Sequence, residues 1–383
     1  MPLIFPGKKS GWWPLVFLLP IWLIVQGILL YKYGIVTKGE SVKYINEAVF
    51  WQEHHQFSQP KYIFYSVYIF IRFLALQIRT GIEGVYIFQL LINLYATFLF
   101  YKLSLRLFTR PVIAVAATTL LLICFPWQLW TTHLYTEGVF ISLVIIFTYF
   151  FFLPEKSKFL RIITIILFIL LLFSRPTGML FIPVITLWYF NKWWSERKWL
   201  LLGVSSLVSL AGFILILNYA MKGEGEFNFL KPFIEEHIIC GVPQALNNDL
   251  KLPRDGNSTG GILYYVVNNP IHFLSLSVKK IGAFFGMTRS YFSTSHNLYL
   301  RLFFYPLYLF ALAGVIMRGK TIRSFKVYAS GIVIVFATSV ALTCDDWLNR
   351  FIMPVLPFII LLATAGITKI MSFKKSGISE TTI

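Results

Sequence analysis

Apolar stretches of roughly twenty residues recur from one end of this chain to the other, with only short polar breaks between most of them. A helix of about 20 apolar residues spans the hydrocarbon of a bilayer. Inside that hydrocarbon every backbone N–H and C=O must be satisfied within the protein, so such stretches fold as helices. Candidates lie near 12–33, 62–79, 85–107, 111–130, 134–153, 159–174, 178–194, 198–220, 297–317, 325–343 and 350–370. With 57% hydrophobic and only 13% charged residues, the chain carries more apolar surface than one soluble core can hide. The expected fold is an all-α polytopic membrane protein with about 10–11 transmembrane helices.

The formal charge of +18 is distributed in a way that argues against nucleic acid as a partner. Bases sit in short loops between apolar runs: Lys102, Arg106 and Arg110; Lys156, Lys158 and Arg161; Lys192, Arg197 and Lys198; Arg318, Lys320, Arg323 and Lys326. Such loops face the cytoplasm. A hydrophilic insert from Met221 to about Asn269 has the opposite balance, with Glu224, Glu226, Glu235, Glu236, Asp249 and Asp255, and is expected outside. Three parts follow: a transmembrane module over 1–220 with its first outer loop at 34–61, an outer loop and amphipathic helix over 221–296, and C-terminal spans over 297–383. In that amphipathic helix, 269–286, Lys279 and Lys280 are placed on one side. Lys8 and Lys9 precede a first helix that reads as retained. Eleven spans put the chain ends on opposite sides, yet Lys8/Lys9 and Lys374/Lys375 both favour the cytoplasm. One segment between 60 and 130 is therefore expected to be short or re-entrant.

Cys124, Cys240 and Cys344 show no metal or redox spacing. Cys240 and Cys344 could meet outside the membrane as a disulfide, and nothing in the sequence compels it.

Acids are scarce, and three of them, Glu40, Glu47 and Glu53, fall in one segment, GESVKYINEAVFWQEHHQF, directly after the first span. Glu40 would stand at the interface, able to accept a proton; capping a helix together with Ser41 is the plainer reading. Tyr44 and Glu47 follow one and two turns on, with Val42, Ile45, Val49 and Phe50 on the apolar side. In HLYTE, His133 and Glu137 are four apart, placing both on one helical face, where a hydrogen bond is favoured over a metal site because no third ligand is evident. Arg175, in SRPTG, sits at a broken helix and suits a phosphate. Arg350, Lys61 and Lys38 are further phosphate partners. Arg72, inside the second span, should be paired within the bundle.

These segments, in this order, resemble the polyprenol-phosphate-sugar-dependent glycosyltransferases of the GT-C superfamily, the group of the protein O-mannosyltransferases and aminoarabinose transferases. GESVKYINEA is similar to the family's first-loop acidic motif, with Glu40 where Asp is usual and Tyr44 and Ala48 at its aromatic and small positions. LYTEGVFISL resembles the second outer loop, LLFSRPTGMLFIP the arginine-proline turn, and NRFIMPVLPFIILLATAG the last span with Arg350 and Pro354. The resemblance implies an integral protein of the bacterial inner membrane with its site facing outward. It implies a polyprenyl-phosphate sugar as donor, an acceptor glycan, lipid or protein, Glu40 as general base, and no cofactor. Lys61, Tyr44, His133, Glu137, Arg175 and Arg350 would line the substrate. A transporter or flippase for a lipid-linked glycan, and a polysaccharide polymerase or ligase, are the alternatives.

Overall fold

The computed structural model describes residues 13–154, 157–221, 230–245, 249–253, 258–316 and 322–379. Lys8, Lys9, Lys156, Glu224, Glu226, Asp255, Arg318 and Lys320 lie outside them, as do the side chains of Lys374 and Lys375. Helices make up the described chain, with isolated β-bridges instead of strands. It divides into one unit of residues 1–179, 310–322 and 359–383 and another of residues 180–309 and 323–358.

The first unit opens with α1 (Trp13–Tyr33), α2 (Glu40–His54), α3 (Ser66–Gln77), α4 (Gly81–Phe108), α5 (Pro111–Leu122), α6 (Phe125–Gln128), α7 (Thr136–Phe151) and α8 (Lys158–Leu172). Leu18, Trp22, Tyr101, Leu105, Ala114, Val115 and Leu122 form a core joining α1, α4 and α5. α7 is apolar and buried on nearly all sides, so it is the axis of this unit, while α8 turns Phe159, Ile162, Ile165 and Ile169 outward. An exposed apolar face of that size belongs against lipid.

Every stretch read from the sequence contains a helix, and the protein is an all-α, membrane-embedded chain. α1, α4 and two helices described below are long and apolar enough to cross a bilayer unaided. α5 with the α6 turn passes the same test but bends by 66°. The 12-residue α3 rises only about 18 Å.

The second unit holds α9 (Phe181–Ser195), α10 (Trp199–Met221), α11 (Lys231–Ile234), α12 (Thr259–Asn268), α13 (Pro270–Gly286), α14 (Thr294–Ile316, up to Leu309) and α15 (Arg323–Leu342). Cys240 and Cys344 are bonded. Beside them the Cys240 N–H donates to the Asp345 carbonyl at 2.8 Å and the Trp347 indole donates to the Cys240 carbonyl at 2.8 Å. Arg289 pairs with Asp345, and Asn349 donates to the Met287 carbonyl at 2.7 Å. α13 corrects the sequence reading: Lys279 is exposed, but Lys280, a further 100° round the helix, is fully buried. Ile271, Leu274 and Val278 form its outward stripe.

α16 (Leu356–Ser379) returns to the first unit from Ile359 onward. There it meets the end of α14 at a glycine crossing: a Cβ on Gly314 would lie 1.9 Å from the Leu362 carbonyl oxygen, and one on Gly366 would lie 2.1 Å from that of Phe310. Small residues let two backbones approach this closely, the usual contact between helices in lipid.

Two stability predictions follow from these placements. Gly314→Val should cost about 1–3 kcal/mol or more by overpacking, seen as a lower thermal midpoint in detergent. Lys280 has its ammonium 3.9 Å above the Phe233 ring and no hydrogen-bond partner among the described residues, and burial pushes it down to about 7. The unfolded lysine holds its proton up to about 10.5, so stability should rise with pH between 7 and 10 as the folded form sheds it. Lys280→Met should raise the midpoint at pH 7 and flatten that dependence; an unchanged profile would show that Lys280 does not titrate in this window.

Candidate functional site

In the first unit, the end of α1 feeds a short extended segment that pairs in parallel with the chain just before α7. The Val36 N–H donates to the Thr132 carbonyl at 2.9 Å, and the Leu134 N–H donates to the Val36 carbonyl at 3.0 Å. Gly39 then adopts φ 66°, and a Cβ there would come within 2.6 Å of the Tyr135 hydroxyl. That hydroxyl donates to the Lys38 carbonyl at 2.8 Å. Only glycine allows both the left-handed turn and the close approach. As a result α2 starts at Glu40, directly beside the segment leading into α7.

Glu40 lies in the first turn of α2, where the helix dipole favours an anion. No side chain caps this end, and Ser41, expected as a capping partner, instead accepts from Arg72 Nη2 at 2.7 Å. Lys43 Nζ approaches the Glu40 carboxylate to 3.7 Å, and the Tyr44 hydroxyl reaches it at 3.4 Å. The Glu40 side chain remains 31% exposed, so water reaches it.

Tyr44 connects this wet acid to a dry one. It is fully buried, and burial pushes its hydroxyl well above 10; Tyr65 and the carboxylates of Glu137 and Glu40 add to the rise, against an opposing Arg175. It therefore stays a protonated donor. Glu40, Glu137 and Arg175 thus all lie near enough to act electrostatically on one phenol.

Glu137, in the first turn of α7, is fully buried and forms an ion pair with Arg175. Thr136 Oγ1 also donates to Glu137 Oε2 at 3.1 Å. Arg175 stands after α8, where the chain tightens into a 3-10 turn, Pro176–Leu180, and its carbonyl accepts the Gly178 N–H at 2.8 Å.

The HLYTE reading is corrected. α7 begins at Thr136, so His133 is not on its face, and Glu137 turns to Arg175. His133 uses Nδ1 toward the Leu129 carbonyl at 3.2 Å. Its ring lies among Tyr33, Trp130 and Tyr135, with centroids 6.4, 5.5 and 5.7 Å away. Burial lowers its affinity for a proton below the usual 6.5, partly offset by the Leu129 carbonyl and by Glu137.

Arg72 is indeed paired, though to neutral acceptors: Ser41 Oγ, the Leu134 carbonyl at 2.9 Å, and the face of Tyr68 at 5.4 Å. Glu47 proves structural, accepting the Ser58 N–H at 2.7 Å. Lys61 lies at a 3-10 turn with Nζ 5.7 Å from the Tyr62 ring centre and no carboxylate partner among the described residues. Arg350 belongs to the second unit, held by Asp346 Oδ2 at 2.7 Å.

Several supporting residues were missed in the sequence. Gln89 Nε2 donates to the carbonyls of Thr131 and His133 at 3.1 and 3.0 Å, while its oxygen accepts the Tyr68 hydroxyl at 3.0 Å. Gln26 and Gln128 join by 2.9 Å, and Thr131 Oγ1 donates to Gln26 at 2.6 Å. Amides inside apolar spans are the signal that identifies them.

An apolar groove of about 450 Å³ is lined by Phe70, Leu74, Phe88, Val139, Leu143 and Phe173. Val139 follows Glu137 by two residues and Phe173 precedes Arg175 by two, so groove and cluster share two chain segments. Among the described residues no three His, Cys, Asp or Glu side chains gather as metal ligands. Comparison with protein-family models, curated proteins and solved structures finds no match.

Glu137→Gln should leave the Arg175 guanidinium buried without its counter-charge and cost about 3–5 kcal/mol. The double change Glu137→Gln with Arg175→Met should recover much of that loss in thermal unfolding; equal midpoints for wild type and the single variant would mean that the pair does not hold the site together.

Proposed function

We propose that this chain is a membrane glycosyltransferase that moves a sugar from a polyprenyl-phosphate donor to an acceptor hydroxyl at the outer face of the bacterial inner membrane. The observation that carries this reading is the convergence of Glu40, Tyr44, Glu137 and Arg175, contributed by three distant parts of the chain, beside an apolar groove. A lipid-phosphate substrate needs both: hydrocarbon for the tail and a polar, partly hydrated end for the reacting group.

Glu40 takes the proton from the acceptor hydroxyl as its oxygen attacks the anomeric carbon. The bond from that carbon to the phosphate oxygen breaks, the electron pair leaves on polyprenyl phosphate, and the configuration inverts. Tyr44 orients the Glu40 carboxylate through its hydrogen bond. Arg175 and Lys61 meet the phosphate and stabilise its growing charge. The groove receives the proximal part of the lipid tail. No role is assigned to Arg350.

The Cys240–Cys344 disulfide and the acidic insert support an outward orientation, since disulfides persist in oxidising compartments. Ten or eleven passes through the bilayer follow if the apolar helices shorter than a full span cross with help from their neighbours.

The test is release of polyprenyl phosphate from a polyprenyl-phosphate sugar by the protein in lipid nanodiscs. Glu40→Gln should lower turnover by about 10²–10⁴-fold, the usual worth of a general base, with an unchanged thermal midpoint, and Glu40→Asp should keep most of it. Full turnover by Glu40→Gln would remove Glu40 from the mechanism. Movement of intact lipid-linked sugar across the bilayer without release would favour the transporter instead.

A further inference from the structure

We infer that His133, with the rings of Tyr33 and Tyr135, forms a subsite for the saccharide ring of the substrate, in which His133 Nε2 accepts a hydrogen bond from a sugar hydroxyl. The inference rests on the transferase reading for its substrate class and assigns a specificity role within it.

The hydrogen bonds around Nδ1 fix the tautomer. Thr132 Oγ1 donates its proton to the Leu129 carbonyl at 2.9 Å, so toward the imidazole it presents a lone pair, 3.2 Å from Nδ1. The Leu129 carbonyl also faces Nδ1, at 3.2 Å. Two acceptors around one ring nitrogen place the proton on Nδ1 and leave the lone pair on Nε2. Nε2 has no partner among the described residues and is not among their sealed, unsatisfied polar atoms. It is an open acceptor.

The extended segment explains its direction. Thr132 and Leu134 are fully buried, whereas His133 and Tyr135 alternate to the other, partly exposed side with Val36. There the imidazole stands edge-on to Tyr135 at 88° and tilted to Tyr33 at 54°. A saccharide ring carries an apolar C–H face and a polar hydroxyl edge, which match tyrosine faces and a fixed acceptor, respectively. Interfacial anchoring accounts for tyrosines, but not for an imidazole tied by its backbone so that its accepting nitrogen is left open. A neutral imidazole is also a poor partner for phosphate, which separates this subsite from the Arg175 side of the cluster.

Saturation-transfer NMR with free mannose, glucose, N-acetylglucosamine and arabinose, added to the protein in nanodiscs, tests this directly. At least one sugar should receive magnetisation on one ring face. His133→Phe, which keeps an aromatic ring, should weaken that binding about fivefold, the worth of one neutral hydrogen bond, whereas His133→Gln, which still accepts, should keep most of it. As a check that needs no variant, diethyl pyrocarbonate should modify wild-type His133 and the bound sugar should protect it. No transfer to any sugar, binding unchanged in His133→Phe, or an unreactive His133 would each overturn the inference. Unaltered release of polyprenyl phosphate with an unchanged KM in His133→Phe would sink it while the transferase reading stood; sugar contact at His133 without any release would do the reverse.

Discussion

The arrangement of the first unit depends on satisfying the backbone of residues 131–134, between the 3-10 turn at Leu129–Thr131 and the start of α7, in largely apolar surroundings. Several carbonyl and amide groups there lie beyond the reach of helical bonding and have little water to fall back on, so they find partners from elsewhere in the protein. The partners come from three directions: Val36 after α1, Arg72 in α3 and Gln89 in α4. The same bonds bring Glu40 and Tyr44 to the place where Glu137 begins α7. The clustering of charge is in this sense a consequence of backbone satisfaction, and the site inherits its geometry from it.

How far the sequence reveals this depends on the length scale. Helices are legible because their apolar runs are long, and α1, α4, α14 and α15 fall close to the stretches read directly. Glu40 and Arg175 stand out because a charge at the edge of hydrocarbon costs roughly 2–3 kcal/mol unless paired or wet. What stayed hidden is which charge meets which. His133 and Glu137 look like a helical pair by spacing, yet the helix starts between them, at Thr136. Helix starts are set by capping and tertiary bonds, which composition does not encode. Lys280 is hard to place for a related reason: two adjacent lysines look alike in sequence, while a 100° rotation separates an exposed position from a buried one with its ammonium over the Phe233 ring. Gln26, Gln89 and Gln128 escape a reading built on charge because an amide carries none, although inside a span it too needs hydrogen-bond partners.

The two carboxylates of the cluster illustrate how one fold assigns different work to similar groups. Glu137 is sealed, bonded by Thr136 and matched by Arg175, so its charge is compensated and its lone pairs are occupied. A carboxylate in that state holds its neighbours in place, since removing either partner would leave the other charge buried alone. Glu40 has different surroundings: its side chain is a third exposed, Lys43 lies 3.7 Å and the Tyr44 hydroxyl 3.4 Å from its carboxylate, and it stands in the first turn of α2, where the helix dipole favours an anion. Tyr44 sits between them and cannot ionise, so it reports the charge of each to the other only as a donor. On the transferase reading proposed above, proton transfer belongs at the wet edge of the site. On the same reading, the buried Glu137–Arg175 pair is the fixed reference against which the substrate is placed.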